Sequence, residues 1–137
     1  IYPEVKVPQT SRQVRQFVSI LQSVKMIERA VVTSAKPGEL AKIHAQAEKE
    51  GVDGLRLMQF VSGERVPVAN LADNLWGVAV EVDVATEAYV KALQGADLKV
   101  MVWNINKVAQ WEEAGRQGAD IVMTDRPAAF GKWSEAG

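Results

Sequence analysis

Two charged side chains share one face of the opening strand. In residues 1–7, IYPEVKV, alternation sets Tyr2, Glu4 and Lys6 on one side and Val5 and Val7 on the other. With the valines toward a helical layer, Glu4 and Lys6 face a strand-lined interior, where unpaired charge is costly. A metal ion for the carboxylate and a phosphate for the ammonium would satisfy them. Mutual pairing near the rim is the plainer alternative. Glu81-Val82-Asp83 sets two carboxylates two residues apart at a strand end, a spacing open to metal binding and equally ordinary in a surface turn. His44, the single histidine, falls inside a helical pattern, away from the strand ends and loops where α/β sites are built. No cysteine is present, so thiol catalysis, disulfides and thiolate metal sites are excluded.

The elements that must position these groups follow in regular order. Thr10 or Ser11 can cap a helix over about residues 12–26, with Val14, Phe17, Val18, Leu21 and Val24 as its apolar stripe. Residues 30–34 read as a strand. Pro37 opens a helix with Leu40, Ile43 and Ala47 inward and Gly51 at its end. Residues 54–60 form a third strand, and 61–74 an irregular stretch with a helical turn near Leu71. Residues 75–82 form a fourth strand. Thr86 caps a helix through Leu93, closed by Gly95. Strand 98–105, a helix capped by Asn106 and stopped by Gly118, and strand 119–123 complete the pattern. The tail, 128–137, has room for one helical turn.

The six predicted strands recur at a period of about 20–30 residues, the length of a βα unit. Gly51-Val52-Asp53, Gly95-Ala96-Asp97 and Gly118-Ala119-Asp120 share one grammar. Glycine ends a helix in the left-handed conformation, and aspartate suits the short turn into the next strand. These aspartates read as structural. They lie at the amino ends of strands, and chemistry in parallel α/β folds sits at the carboxyl ends. No GxGxxG or GxxxxGK[ST] loop accompanies the units, which disfavours an open nucleotide-binding sheet and leaves a barrel built on fewer than eight units.

The 137 residues suit one domain, or part of a larger one. Net charge is −1, so the overall balance does not point to nucleic acid or an anionic membrane surface. No apolar run reaches the roughly 20 residues of a membrane span. The absence of an initiator methionine suggests that the true start lies upstream, which leaves the compartment open.

The closing segment carries a family likeness. Val102-Trp103-Asn104-Ile105-Asn106, a helix, Gly118-Ala119-Asp120 and Ile121-Val122-Met123-Thr124-Asp125-Arg126-Pro127 resemble the last two βα units of the glycerophosphodiester phosphodiesterase family, which read V-W-T-V-N, helix, G-V-D-G-I-I-T-D-x-P. Glu4-Val5-Lys6 resembles that family's E-I-K strand, and Val31-Val32-Thr33-Ser34 the strand after it. Departures are Asn104 in place of threonine and Ser34-Ala35 where Ser-Phe is common.

The resemblance implies an α/β fold: a (β/α)8 TIM barrel of the phosphodiesterase type, here residues 1–137 as six parallel strands without the first two βα units. It implies hydrolysis of glycerophosphodiesters, of phospholipid origin, to glycerol 3-phosphate and an alcohol, with Ca²⁺ or Mg²⁺ where the site is complete. Glu4 would be a metal ligand, and Lys6 and Trp103 substrate contacts, although Trp103 also suits core packing. Asp125 and Arg126 read as a structural turn with a local ion pair. In the family, two histidines near the start move protons, one of them in a His-Arg motif, and a second-strand Glu-x-Asp joins the metal. This chain has neither motif, so no catalytic residue is assigned and the chain alone is expected to be inactive. The missing units are expected in cis or on a partner chain, with oligomerisation as another way to close the sheet. The alternative is a non-catalytic, barrel-derived binding or structural module, as in a cell-surface or virion assembly.

Overall fold

The computed structural model describes residues 1–137. Helix α1, Ser11–Ser23, starts at Thr10, whose hydroxyl accepts from the Gln13 N–H while the Gln13 side chain accepts from the Thr10 N–H. Its spacing buries Val14, Val18 and Leu21. Strand β1, Val31–Ser34, is buried throughout. Helix α2, Pro37–Lys49, opens on proline and buries Leu40, Ile43 and Ala47. Then follow β2, Arg56–Val61; β3, Gly77–Glu81; α3, Glu87–Gly95, capped by Thr86; β4, Lys99–Trp103; α4, Val108–Gln117; β5, Ile121–Val122; and α5, Pro127–Ala136. The strands are hydrogen-bonded in chain order, β1-β2-β3-β4-β5, and the β1–β2 and β4–β5 pairs are parallel.

The chain divides into two compact units. In the first, Ile1–Phe60 with Ala69–Gly77, Val32 and Leu57 are register partners on one sheet face. They pack with Val14, Val18 and Leu21 of α1 and Leu40 and Ile43 of α2. Val31, Thr33 and Met58 lie on the other face and are also buried. A strand with apolar residues on both faces is what a parallel sheet requires. In the second unit, Val61–Val68 with Val78–Gly137, Trp111 of α4 donates its indole N–H to the Ile105 carbonyl at 2.9 Å. The Trp111 ring packs edge-on against Phe130 at 5.4 Å and tilted against Trp133 at 5.7 Å, both from α5.

Four expectations need correction. The sheet has five strands rather than six. Residues 1–7 contribute a single parallel bridge, Glu4 to Thr33, supported by bonds from Val5 N–H to Thr33 O and from Thr33 N–H to Pro3 O, both 2.8 Å. Pro3 and Pro8 bracket the segment and keep the pairing short. The tail is a ten-residue helix rather than a single turn, because Pro127 fits its first turn and Phe130 and Trp133 give it a face to bury. Asn106 does not cap α4. Lys107 holds that position, and Gln110 reaches back to accept from the Asn106 and Lys107 N–H groups. Helix α3 runs through Gly95, and Asp97 rather than glycine takes the left-handed turn, at φ 60°.

The helix ends share one device. Lys25, Gly51, Asp97 and Gly118 follow α1 to α4 with φ between 56° and 79°. In each case the next residue donates its N–H five residues back: Met26 to Leu21, Val52 to Ala47, Leu98 to Leu93 and Ala119 to Ala114, at 2.9–3.2 Å. This bond satisfies a carbonyl the helix leaves open and turns the chain toward the next strand. Glycine adopts that conformation freely, whereas a Cβ costs about 1–2 kcal/mol. Gly118→Ala should therefore lower unfolding free energy by about 1–2 kcal/mol, and Lys25→Gly should leave it unchanged or raise it. Urea titration of the three proteins checks this, and equal midpoints for Gly118→Ala and its parent would refute it.

Candidate functional site

The bridge between Glu4 and Thr33 sets the orientation of the first candidate group. Val5 packs against the core shared by α1, α2, β1 and β2, so Glu4 occupies the opposite face. There it is level with Thr33 and, through the register, with Met58, both fully buried. Lys6 follows, its Nζ 3.6 Å from the Glu4 carboxylate, with side chains 75% and 39% exposed respectively. The structure thus brings together the two residues that alternation had placed on one face. Val7 departs from the pattern. It is 61% exposed rather than turned to the helices, because the chain leaves the sheet after the bridge and enters Pro8.

The way out of that segment is pinned by a residue the sequence reading passed over. Glu39, in the first turn of α2, is buried and accepts from the Gln9 N–H at 2.8 Å and from Lys42 at 2.7 Å. Lys42 also donates to the Gln9 carbonyl. The Lys42 ammonium, followed by the Gln9 N–H, holds the Glu39 carboxyl below the usual carboxylate range. A glutamate two residues after Pro37 was a visible helix-start signal. Its partner thirty residues back was not.

The other charged candidates fall elsewhere. Glu81 accepts from the Gly63 N–H at 2.9 Å and so fastens the loop before β3, while Asp83 is exposed. His44 pairs with Glu48 at 3.5 Å on α2 and lines a 360 Å³ cavity with Asp53, Gly54 and Leu55, which precede β2. No three of the chain's histidine, aspartate and glutamate side chains are grouped closely enough to hold a metal ion. Calcium takes six to eight oxygen ligands, many of them from protein, and magnesium takes six, usually one or two of them protein carboxylates. Glu4 stands with one ammonium instead, so the residues present do not complete a metal site.

Trp103 ends β4 in the second unit. Alternation sets it on the same face as Met101, and it is half-buried; its carbonyl accepts from the Val82 N–H at 2.8 Å. Just beyond it, Asn106 gathers the corner after β5. Its side-chain oxygen accepts from the Thr124 hydroxyl at 2.9 Å and the Asp125 N–H at 2.8 Å, and its amide donates to the Asp125 carboxylate at 2.8 Å. Arg126 donates to the Asn106 carbonyl at 3.2 Å. The expected Asp125–Arg126 ion pair does not form. Both side chains turn to Asn106 instead, since its amide and carbonyl supply the donor and acceptor they need.

Comparison with known proteins places this arrangement. The model of the glycerophosphoryl diester phosphodiesterase family matches residues 1–129. The chain belongs to that family. Among solved structures it is similar to a candidate glycerophosphodiester phosphodiesterase from Galdieria sulphuraria, with TM-score 0.81, 14% identity, and coverage of 95% of this chain and 56% of that one. A glycerophosphodiester phosphodiesterase from Parabacteroides distasonis gives 0.74 and 16%, over 99% and 58%. An Oleispira antarctica phosphodiesterase in complex with the product sn-glycerol-3-phosphate gives 0.62 and 16%, over 90% and 51%. No curated protein matches. The fold is that of the phosphodiesterase TIM barrel, and the chain spans a little over half the length of these relatives.

Within this phosphodiesterase fold, Asp120 illustrates a motif residue whose work is structural. Its carboxylate accepts from the Val100 N–H at 2.9 Å, from Gln94 at 3.2 Å and from Lys99 at 3.4 Å, while its own N–H donates to the Val100 carbonyl. Burial pushes the carboxyl up. The Val100 N–H, Gln94 and Lys99 together outweigh that and hold it below its ordinary value. A depressed carboxyl pKa stabilises the fold above the unfolded value, about 3.9, and that stability is lost as pH falls through the folded value. Asp120→Ala should cost about 1–3 kcal/mol at pH 7. The gap to the parent should narrow below about pH 4, and a gap independent of pH between 7 and 3 would contradict this role.

Proposed function

We propose that this chain forms part of a hydrolase acting on glycerophosphodiesters, releasing glycerol 3-phosphate and an alcohol, and that these 137 residues alone are catalytically incomplete. The family match over residues 1–129 carries the reading. In it, Glu4 supplies one oxygen ligand to a divalent-metal site whose other ligands come from βα units supplied in cis or by a partner chain. Lys6 offers its ammonium to the phosphate, and Trp103 offers a flat wall to the substrate. The exposure of Ile1 and Tyr2 beside the Glu4 bridge, and of the two half-buried residues of β5, supports further strands pairing there.

A second reading is favoured by the 3.6 Å contact between Glu4 and Lys6. The two charges satisfy each other, as they would in a non-catalytic binding or structural module derived from the barrel.

The assay that separates the two is release of glycerol 3-phosphate from glycerophosphocholine with added Ca²⁺ or Mg²⁺. The hydrolase reading expects turnover by the barrel completed with its remaining units and none by residues 1–137 alone. Inactivity of the completed barrel with each metal sinks it. In the completed barrel, Glu4→Gln should weaken metal binding at least tenfold, about 1.4 kcal/mol, with little change in melting temperature because the side chain is well exposed. Calorimetric titration that finds unchanged affinity removes Glu4 from the site.

A further inference from the structure

Three helix starts in this chain use their third residue in two ways. In α1 the Gln13 side chain accepts from the N–H of its own cap, Thr10, at 2.8 Å, and in α4 the Gln110 side chain accepts from the Lys107 N–H at 3.2 Å. Both follow the capping-box pattern. Glu39 holds the same position in α2, yet its carboxylate does not return to Lys36. The Lys36 N–H donates to the Ser34 hydroxyl instead, at 3.1 Å. Glu39 is thereby freed for a segment outside its helix.

Its burial makes that choice informative. The Glu39 side chain is 6% exposed, and a carboxylate so buried is costly unless it is bonded. Both oxygens are engaged: Oε2 accepts from the Gln9 N–H at 2.8 Å and Oε1 from the Lys42 ammonium at 2.7 Å. Lys42 continues to the Gln9 carbonyl at 3.3 Å. Gln9 is therefore held by both of its main-chain polar groups. The strand that leads into α2 holds the other end of the same segment. Ser34 donates its hydroxyl to the Val5 carbonyl at 2.7 Å, beside the bond from the Val5 N–H to Thr33 O. Lys6, Val7 and Pro8 run between these two anchors. The Gln9 side-chain amide donates to the Val7 carbonyl at 2.8 Å, and Pro8 has a fixed φ. Lys6 thus stands on a short arch with both feet on the connection from β1 to α2. That connection leaves the carboxyl end of a strand, where parallel α/β folds build their sites. Glu4 lies outside the arch and is set by its bridge to Thr33.

We propose that Glu39 is a positioning residue for Lys6: by holding Gln9 it fixes the arch that presents the Lys6 ammonium to the phosphate of a glycerophosphodiester. The proposal rests on the hydrolase reading and adds to it a residue that acts only through Lys6. A contact made equally with bound substrate and with the transition state acts on KM and leaves kcat alone. Thr33 rather than Glu39 sets Glu4, so loss of Glu39 leaves metal affinity alone as well.

The test is turnover of glycerophosphocholine by the completed barrel with saturating Ca²⁺ or Mg²⁺. Glu39→Ala should raise KM about tenfold, as loss of one charge-assisted bond to the phosphate would. Its kcat and its metal affinity by calorimetric titration should stay near those of the parent. Glu39→Gln keeps an acceptor for the Gln9 N–H and should restore most of the parent KM. Lys6→Ala should raise KM by itself, and adding Glu39→Ala to it should change nothing further, because a residue acting through Lys6 has no effect once Lys6 is gone. Lys42→Met loses the bond to the Gln9 carbonyl from a half-exposed side chain, so it should fold as the parent does and raise KM severalfold. It decides the matter if circular dichroism finds Glu39→Ala unfolded. In an active parent, unchanged KM in Lys42→Met and in folded Glu39→Ala overturns the proposal and leaves the hydrolase reading standing. So does an equal Glu39→Ala effect with and without Lys6, or a loss of metal affinity in that variant. A parent inactive with each metal sinks the hydrolase reading and the proposal together.

Discussion

Each of helices α1 to α4 has to hand over to a strand of the sheet, and one hydrogen bond decides how. After α1 to α4 a single residue enters the left-handed region, and the next N–H reaches five residues back into the helix. The bond caps the helix and fixes the direction of departure together. Where it falls also fixes where the following strand begins, and side chains alternate along a strand, so a shift of one residue would exchange the two faces. At the last such turn, Gly118 brings Asp120 beside Val100. The reciprocal bonds there lead into the register Met101 to Ile121 and Val102 to Val122. The Asn106 corner at the opposite end of the same strands then closes the loop after β5.

This dependence explains why the fold was largely legible from the sequence. Apolar spacing marked the buried stripe of α2 and three of the five stripe residues of α1, Phe17 being half-buried and Val24 exposed past the helix end; Thr10 and Thr86 marked two helix starts, and Gly51 and Gly118 marked two of the turns. The other two turns use Lys25 and Asp97, which carry no such mark, and the predicted ends of α1 and α3 were displaced accordingly. Aspartate visits the left-handed region more readily than most residues, so Asp97 had a chemical precedent. For Lys25 the tertiary demand outweighed local preference.

The candidate site was legible only in part, for a different reason. Alternation is local, and it paired Glu4 with Lys6 correctly while assigning Val5 to the core. It failed at Val7, because alternation holds only while the backbone remains in the sheet. Contacts between distant residues were beyond its reach. Glu39 holding Gln9, Asn106 gathering Thr124 through Arg126, and Phe130 with Trp133 on Trp111 each join segments whose approach depends on the fold. A helix-cap rule pointed Asn106 toward α4, but a single side chain has two polar ends to satisfy. The corner after β5 offered a hydroxyl, an N–H and a carboxylate at once, while Gln110 of α4 reached back to the N–H groups of Asn106 and Lys107.

The pairing of Glu4 with Lys6 bears on how such a residue could serve a site it does not complete. Were the two buried, separating them would strand a charge in an apolar setting and cost several kcal/mol. They are not. At 3.6 Å and with both side chains well exposed, the pair contributes little to stability. The backbone around Glu4 is held far more firmly, by the Thr33 bonds on one side and the Glu39 contact to Gln9 beyond it. Position is therefore fixed by the main chain while the carboxylate stays weakly committed to its partner. A stronger counter-charge could displace the Lys6 ammonium at small cost and leave it free to meet an anion. At that exposure Glu4 is tolerated by solvent as much as by Lys6, and its carboxylate is bound firmly to neither.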